Sequence, residues 1–134
     1  MKITGRCHCE KITYEADVDP TLVGICHCTD CQKLSGSPYR VTAPTKASNV
    51  RILSGEPTIY VKTAQSGRER LQAFCGRCGS QLYTTGVGEA AKIVGLRWGS
   101  IDQRAELTPK RQVWRRSAAP WCQDLSAVPV RDDD

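Results

Sequence analysis

The sequence of 134 residues is short of the side chains that usually fill a core: it has one Phe and one Met, and apolar residues make up 40% of it. That length suffices for a single hydrophobic core, but a core so thinly supplied is expected to be supplemented by a metal. Also missing is any run of about 18 apolar residues, which argues against a membrane-crossing helix. Residues 1–11 carry Lys2, Arg6, Glu10 and Lys11 and lack the apolar stretch of an export signal. No long amphipathic helix, no low-complexity segment and no internal repeat beyond two C-x-C elements is present. The expectation is a cytoplasmic, mostly β protein without a membrane span. In a reducing compartment its eight cysteines point to metal rather than disulfides. The net charge of +5 suits an anionic small molecule, a weak nucleic-acid contact or a merely solvated surface.

Seven of the cysteines fall into three groups: Cys7/Cys9, Cys26/Cys28/Cys31 and Cys75/Cys78. A pair plus a pair supplies four sulfurs, a closed tetrahedral site of the structural kind. Cys7, Cys9, Cys75 and Cys78 are therefore expected to hold one structural zinc. The triplet C-x-C-x-x-C then keeps a position open for water or substrate, as sites that do chemistry require. A competing partition gives Cys122 to the triplet and closes both sites. Against it, Cys122 stands alone beside Pro120 and Trp121, the setting of a buried apolar thiol. Thiolate ligands favour zinc over iron in the triplet without excluding iron.

His8 and His27 each lie between two cysteines. Where both flanking thiols face a metal, extended backbone turns the middle side chain away, so neither is expected to be a ligand. His27 beside the open site remains available as a proton carrier, since an unperturbed imidazole titrates at about 6.5. A merely exposed or hydrogen-bonded histidine is the competing reading. Asp30 and Gln32 are candidates for outer hydrogen bonds to the thiols, and Gly36 and Ser37 for the floor of a pocket. Trp98, Trp114 and Trp121 are expected as core and rim packing.

Strands are expected over 12–16, 39–43, 50–53, 58–63, 71–75, 81–85 and 90–98, with an edge strand at 113–116. A helical turn at Gln32–Ser35, stopped by Gly36 and Pro38, would aim its first amides at the triplet and favour thiolate there. Cys75-Gly76-Arg77-Cys78-Gly79 between two strands has the form of a zinc-ribbon knuckle. The fold class is thus mostly β, small antiparallel sheets with a zinc ribbon. One domain spans residues 1–122, and a tail over 123–134 ends in an acidic run.

Three stretches together resemble the glutathione-dependent formaldehyde-activating enzyme family, which includes centromere protein V. They are Gly5-Arg6-Cys7-His8-Cys9 leading to Thr13-Tyr14-Glu15, Cys26-His27-Cys28-Thr29-Asp30-Cys31-Gln32-Lys33 with Gly36-Ser37, and Phe74-Cys75-Gly76-Arg77-Cys78-Gly79-Ser80. Glu10 departs from the pattern, where a glycine is expected. The resemblance implies sheets meeting like a tent, a structural zinc on four cysteines and a second zinc on three. It also implies a carbon–sulfur lyase activity on glutathione and formaldehyde, forming or cleaving S-hydroxymethylglutathione. Cys26, Cys28 and Cys31 would then be the catalytic group, with glutathione the thiol partner and Lys33, Arg40 or Arg97 available for its carboxylates. Two other classes stay open. One is a zinc-ribbon module contacting nucleic acid through Lys110, Arg111, Arg115 and Arg116 around Trp114, although an edge strand also uses basic residues against aggregation. The other is a metal-stabilised scaffold without catalysis. Oligomeric state is not legible.

Overall fold

The computed structural model describes residues 1–134. Ten strands and one α-helix form two sheets. The first sheet has three antiparallel strands in the order β1-β2-β5: β1 (Lys2–Arg6), β2 (Thr13–Asp17) and β5 (Val50–Ser54). The second has seven: β3 (Gly24–Cys26), β4 (Arg40–Lys46), β6 (Thr58–Thr63), β7 (Glu69–Phe74), β8 (Gln81–Thr85), β9 (Ile93–Arg97) and β10 (Arg111–Val113). Their order is β10-β3-β4-β9-β8-β7-β6. All pairings are antiparallel except β10 with β3, which is parallel. The helix, α1 (Thr29–Ser35), follows β3 directly. No helix is long and apolar enough to cross a membrane.

Alternation explains the core. In β1 Ile3 and Gly5 point inward, and in β2 Tyr14 and Ala16 do. Ala43 of β4 lies opposite Leu96 of β9, and Leu96 opposite Tyr83 of β8, so one face of the large sheet is apolar. Ile3, Ile12, Tyr14, Val23, Ala43, Leu82, Leu96, Ile101 and Leu107 belong to one buried cluster drawn from both sheets and their connections. Each buried aliphatic side chain contributes about 1.5–3 kcal/mol. Cys7 and Cys75 belong to the same cluster, which ties the four-cysteine group to the core.

Several local expectations shift. The helix begins at Thr29, three residues before Gln32, because Cys28 itself caps it. The run at 90–98 splits: Gly88–Lys92 is a 3-10 turn, and the strand starts at Ile93. The last strand ends at Val113, where Trp114 takes a left-handed conformation with φ 58°. The short β1 and β3 escaped a reading based on long alternation. Pro44 sits in β4 beyond the reach of β3, whose register ends at Thr42, so its missing amide falls where β4 is an edge.

Candidate metal centres

The connection from β1 to β2 places Cys7 and Cys9, and the connection from β7 to β8 places Cys75 and Cys78. All four sulfurs lie within 4.8 Å of one another. Cys7 and Cys9 Sγ are 3.6 Å apart and Cys9 and Cys75 Sγ 3.8 Å. A tetrahedral zinc with Zn–S bonds of 2.3 Å has sulfurs about 3.8 Å apart, so the group fits that ion as it stands. The two turns are alike. Glu10 N donates to Cys7 O (3.0 Å) with Glu10 at φ 63°, and Gly79 N to Cys75 O (2.8 Å) with Gly79 at φ 80°. Ile12 N donates to Cys7 Sγ at 3.3 Å. Ser80 joins the turns: its Oγ accepts from His8 N (2.9 Å) and lies 3.3 Å from Cys78 Sγ. That hydroxyl is the main reason the Cys78 thiol is lowered to about 5. Nothing in the spacing singled out Ser80 for this role.

The second group is built on the junction of β3 and α1. Cys26 ends β3, Cys28 is the N-cap of α1, and Cys31 lies in its first turn. Their sulfurs also lie within 4.8 Å of one another, and Cys31 N donates to Cys28 Sγ at 3.3 Å. Cys31 is lowered to about 5, first by hydrogen bonding with the Cys26 thiol and also by the positive charge of Arg40, against the opposing effect of burial. Cys26 is raised correspondingly, by the same shared hydrogen bond and then by burial. Three half-buried soft donors without a fourth among them are a donor set for a thiophilic ion with one place left over.

Neither histidine joins a sulfur group. His8 is exposed. His27 is fully buried, its Nε2 2.7 Å from Gln112 Oε1 and its ring edge-on to Tyr39 at 5.4 Å. Its surroundings match the hydrogen-bonded reading better than a proton carrier open to solvent. Gln32 does not reach a thiol: Nε2 donates to His27 O (2.8 Å) and Ser117 O (2.9 Å). Asp30 pairs with Lys62 of β6 at 2.8 Å. Cys122 lies outside both groups and is half-buried rather than enclosed. Trp98 packs on the core and donates to Leu107 O at 3.0 Å. Trp114 and Trp121 are about half exposed, and the Arg116 guanidinium lies 4.6 Å from the Trp114 ring centre.

A cleft of about 770 Å³, within the range of small-molecule sites, is lined by Cys7, Gly79 and Ser80 of the four-cysteine turns and by Leu34 and Ser35 of α1. Ser37, Arg40, Arg97, Arg6 and Arg104 are also among its lining. The three sulfurs of the triplet are not, and Arg40 connects the two features, since it faces the cleft and lies opposite Cys26 in the strand register. Lys33 is exposed on α1 and is not part of this lining.

A sequence model of the glutathione-dependent formaldehyde-activating enzyme family matches residues 2–117. The chain belongs to that family. A crystal structure of a Rhodobacter sphaeroides protein, determined as a structural genomics target, shares the fold at a TM-score of 0.65 and 17% sequence identity, over 81% of this chain and 98% of the other. No curated protein matches the chain in sequence. Family membership agrees with the resemblance carried by the three cysteine stretches, and the mostly β architecture agrees with the expected class. The all-antiparallel expectation gives way only at β10, which lies parallel to β3.

Proposed function

We propose that the protein is a zinc-dependent enzyme of the carbon–sulfur lyase type that joins glutathione to formaldehyde, or separates them, at Cys26, Cys28 and Cys31. In this reading Cys7, Cys9, Cys75 and Cys78 hold a structural zinc, and the domain over residues 1–122 acts in the cytoplasm. The observation that carries it is the convergence of three sulfurs, without a fourth protein donor, with Arg40 of a basic cleft directly opposite Cys26 in the strand register. Zinc at the triplet would supply a Lewis acid that keeps a bound thiol deprotonated at neutral pH. Cys26, Cys28 and Cys31 would hold that ion, and Arg104 in the cleft lining, which takes part in no ion pair, suits a carboxylate of a tripeptide. The thiol sulfur adds to the carbonyl carbon, and the carbonyl oxygen takes up the proton that the thiol gave up. The reverse step breaks the same bond.

The test is exchange spectroscopy by NMR on mixtures of glutathione and formaldehyde, where catalysed interconversion with S-hydroxymethylglutathione broadens both signals. The wild type should accelerate exchange well beyond the uncatalysed rate, and Cys28→Ser should not. Acceleration by Cys28→Ser equal to wild type would remove the triplet from the chemistry.

A further inference from the structure

Arg40 is 5% exposed and Arg97 8%, yet neither takes part in an ion pair. Arg40 Nη1 donates to Gln72 Oε1 (3.2 Å) and Gln81 Oε1 (2.9 Å). Arg97 Nη2 donates to the same Gln72 oxygen (2.9 Å), and Nη1 to Thr42 Oγ1 (2.8 Å). Every acceptor is neutral, and Arg40 Nε is buried with no partner at all. Desolvating an ion costs several kcal/mol, which amides and hydroxyls do not return. Two like charges sharing one glutamine oxygen add repulsion. The pair calls for negative charge close by.

The strand register shows where that charge lies. Arg40 is directly opposite Cys26, and Arg97 directly opposite Thr42. Opposite residues, and residues two apart on one strand, share a face of the sheet. Cys26, Arg40, Thr42 and Arg97 therefore lie on one face. Across the sheet, Gln72 of β7 binds both arginines from that side, and Lys62 of β6 reaches Asp30 of α1. Asp30, the acid on α1, is thus already committed. What remains beside Arg40 is the sulfur triplet. Three thiolates and a divalent cation sum to −1. A fourth, anionic donor makes −2, which two guanidinium groups balance, whereas a neutral donor leaves the arginines in excess.

We infer that Arg40 and Arg97 are the counter-charges of the Cys26–Cys28–Cys31 site and make it select an anionic fourth donor, a thiolate, over a neutral one. The inference rests on the reading that the triplet holds a divalent metal. The arginines are specificity-determining residues that act through charge and touch no reacting atom.

The test uses protein with zinc in the four-cysteine site and cobalt(II) in the triplet, whose visible absorption reports the donor set. It is titrated with 2-mercaptoethanol, a thiol without a carboxylate, with glutathione, and with imidazole as the neutral donor. Arg40→Gln and Arg97→Gln should each weaken 2-mercaptoethanol binding about tenfold or more, with imidazole binding unchanged or tighter. Arg40→Lys and Arg97→Lys, which keep the charge, should stay within about threefold of wild type. Equal weakening of thiol and imidazole overturns the inference. So does a loss confined to glutathione, which would make the arginines a carboxylate site. If the Gln variants do not fold, the Lys variants carry the test, and a tenfold fall in their preference for thiol over imidazole overturns it. Failure of the wild type to take cobalt at the triplet overturns the functional reading and the inference together. Cobalt and thiol binding that ignores the arginines overturns the inference alone.

Discussion

Tyr14 shows how much of the structure depends on single positions. Its ring lies against Gly5, where an added Cβ would come within 2.2 Å of ring atoms. Its hydroxyl is 2.7 Å from Ser100 Oγ. Gly5→Ala should cost about 2 kcal/mol or more, as overpacking against a ring that cannot retreat does, read as a lower urea midpoint. Burial raises the Tyr14 phenol to about 12, above its ordinary value near 10. The folded state thus holds this proton more tightly than the unfolded state. The associated stability is complete below about pH 10 and is lost as pH rises toward about 12. Tyr14→Phe should lower stability by about 1 kcal/mol at neutral pH through the lost hydrogen bond and flatten the alkaline decline. An unchanged slope between pH 10 and 12 would assign that decline to other groups. Glu10, at φ 63°, stands where glycine is expected, and the left-handed turn accounts for that expectation. Its carboxylate meets Arg6 at 3.0 Å on an exposed surface, a pair of little worth. Glu10→Gly should therefore leave the urea midpoint unchanged or raise it, by at most about 1 kcal/mol, and a clear loss of stability would contradict the strain account.

At the scale of elements, α1 depends on the cysteine that caps it. Cys28 Sγ accepts from Cys31 N, and a serine hydroxyl serves the same purpose well while alanine does not. Cys28→Ser should keep α1 at near wild-type stability, whereas Cys28→Ala should lose about 1 kcal/mol more, measured by urea unfolding. Which features were legible in the sequence follows from range. The cysteine groups, the Gly36 stop at φ 64° and the strands 58–63 and 81–85 depend on neighbouring residues, and spacing alone reveals them. Arg40 and Arg97 gain their meaning only from the β3–β4–β9 register, which no local pattern encodes. The apolar run at 90–98 reads as a single strand because its first residues are apolar. There Gly88 at φ 60° and the following 3-10 turn delay the strand until Ile93. Ser80 was invisible as a link between the two turns because its partner His8 is 72 positions away.

In the whole molecule, the four-cysteine group and the triplet have different mechanical positions. Cys7 and Cys9 leave the three-stranded sheet, and Cys75 and Cys78 join two strands of the seven-stranded one, so this group fastens the two sheets beside the shared core. The triplet hangs from one strand end and one short helix. Cys75→Ser should accordingly abolish cooperative unfolding or lower the midpoint severely, because metal binding at such a site is part of the folding free energy. Cys28→Ser should leave the fold standing. The most direct measurement is zinc per chain by elemental analysis on wild type and Cys28→Ser, with circular dichroism confirming that both are folded. The account predicts two zincs in the wild type and one in the folded variant. One zinc in both would contradict it, because the triplet would then hold no metal for the chemistry to use.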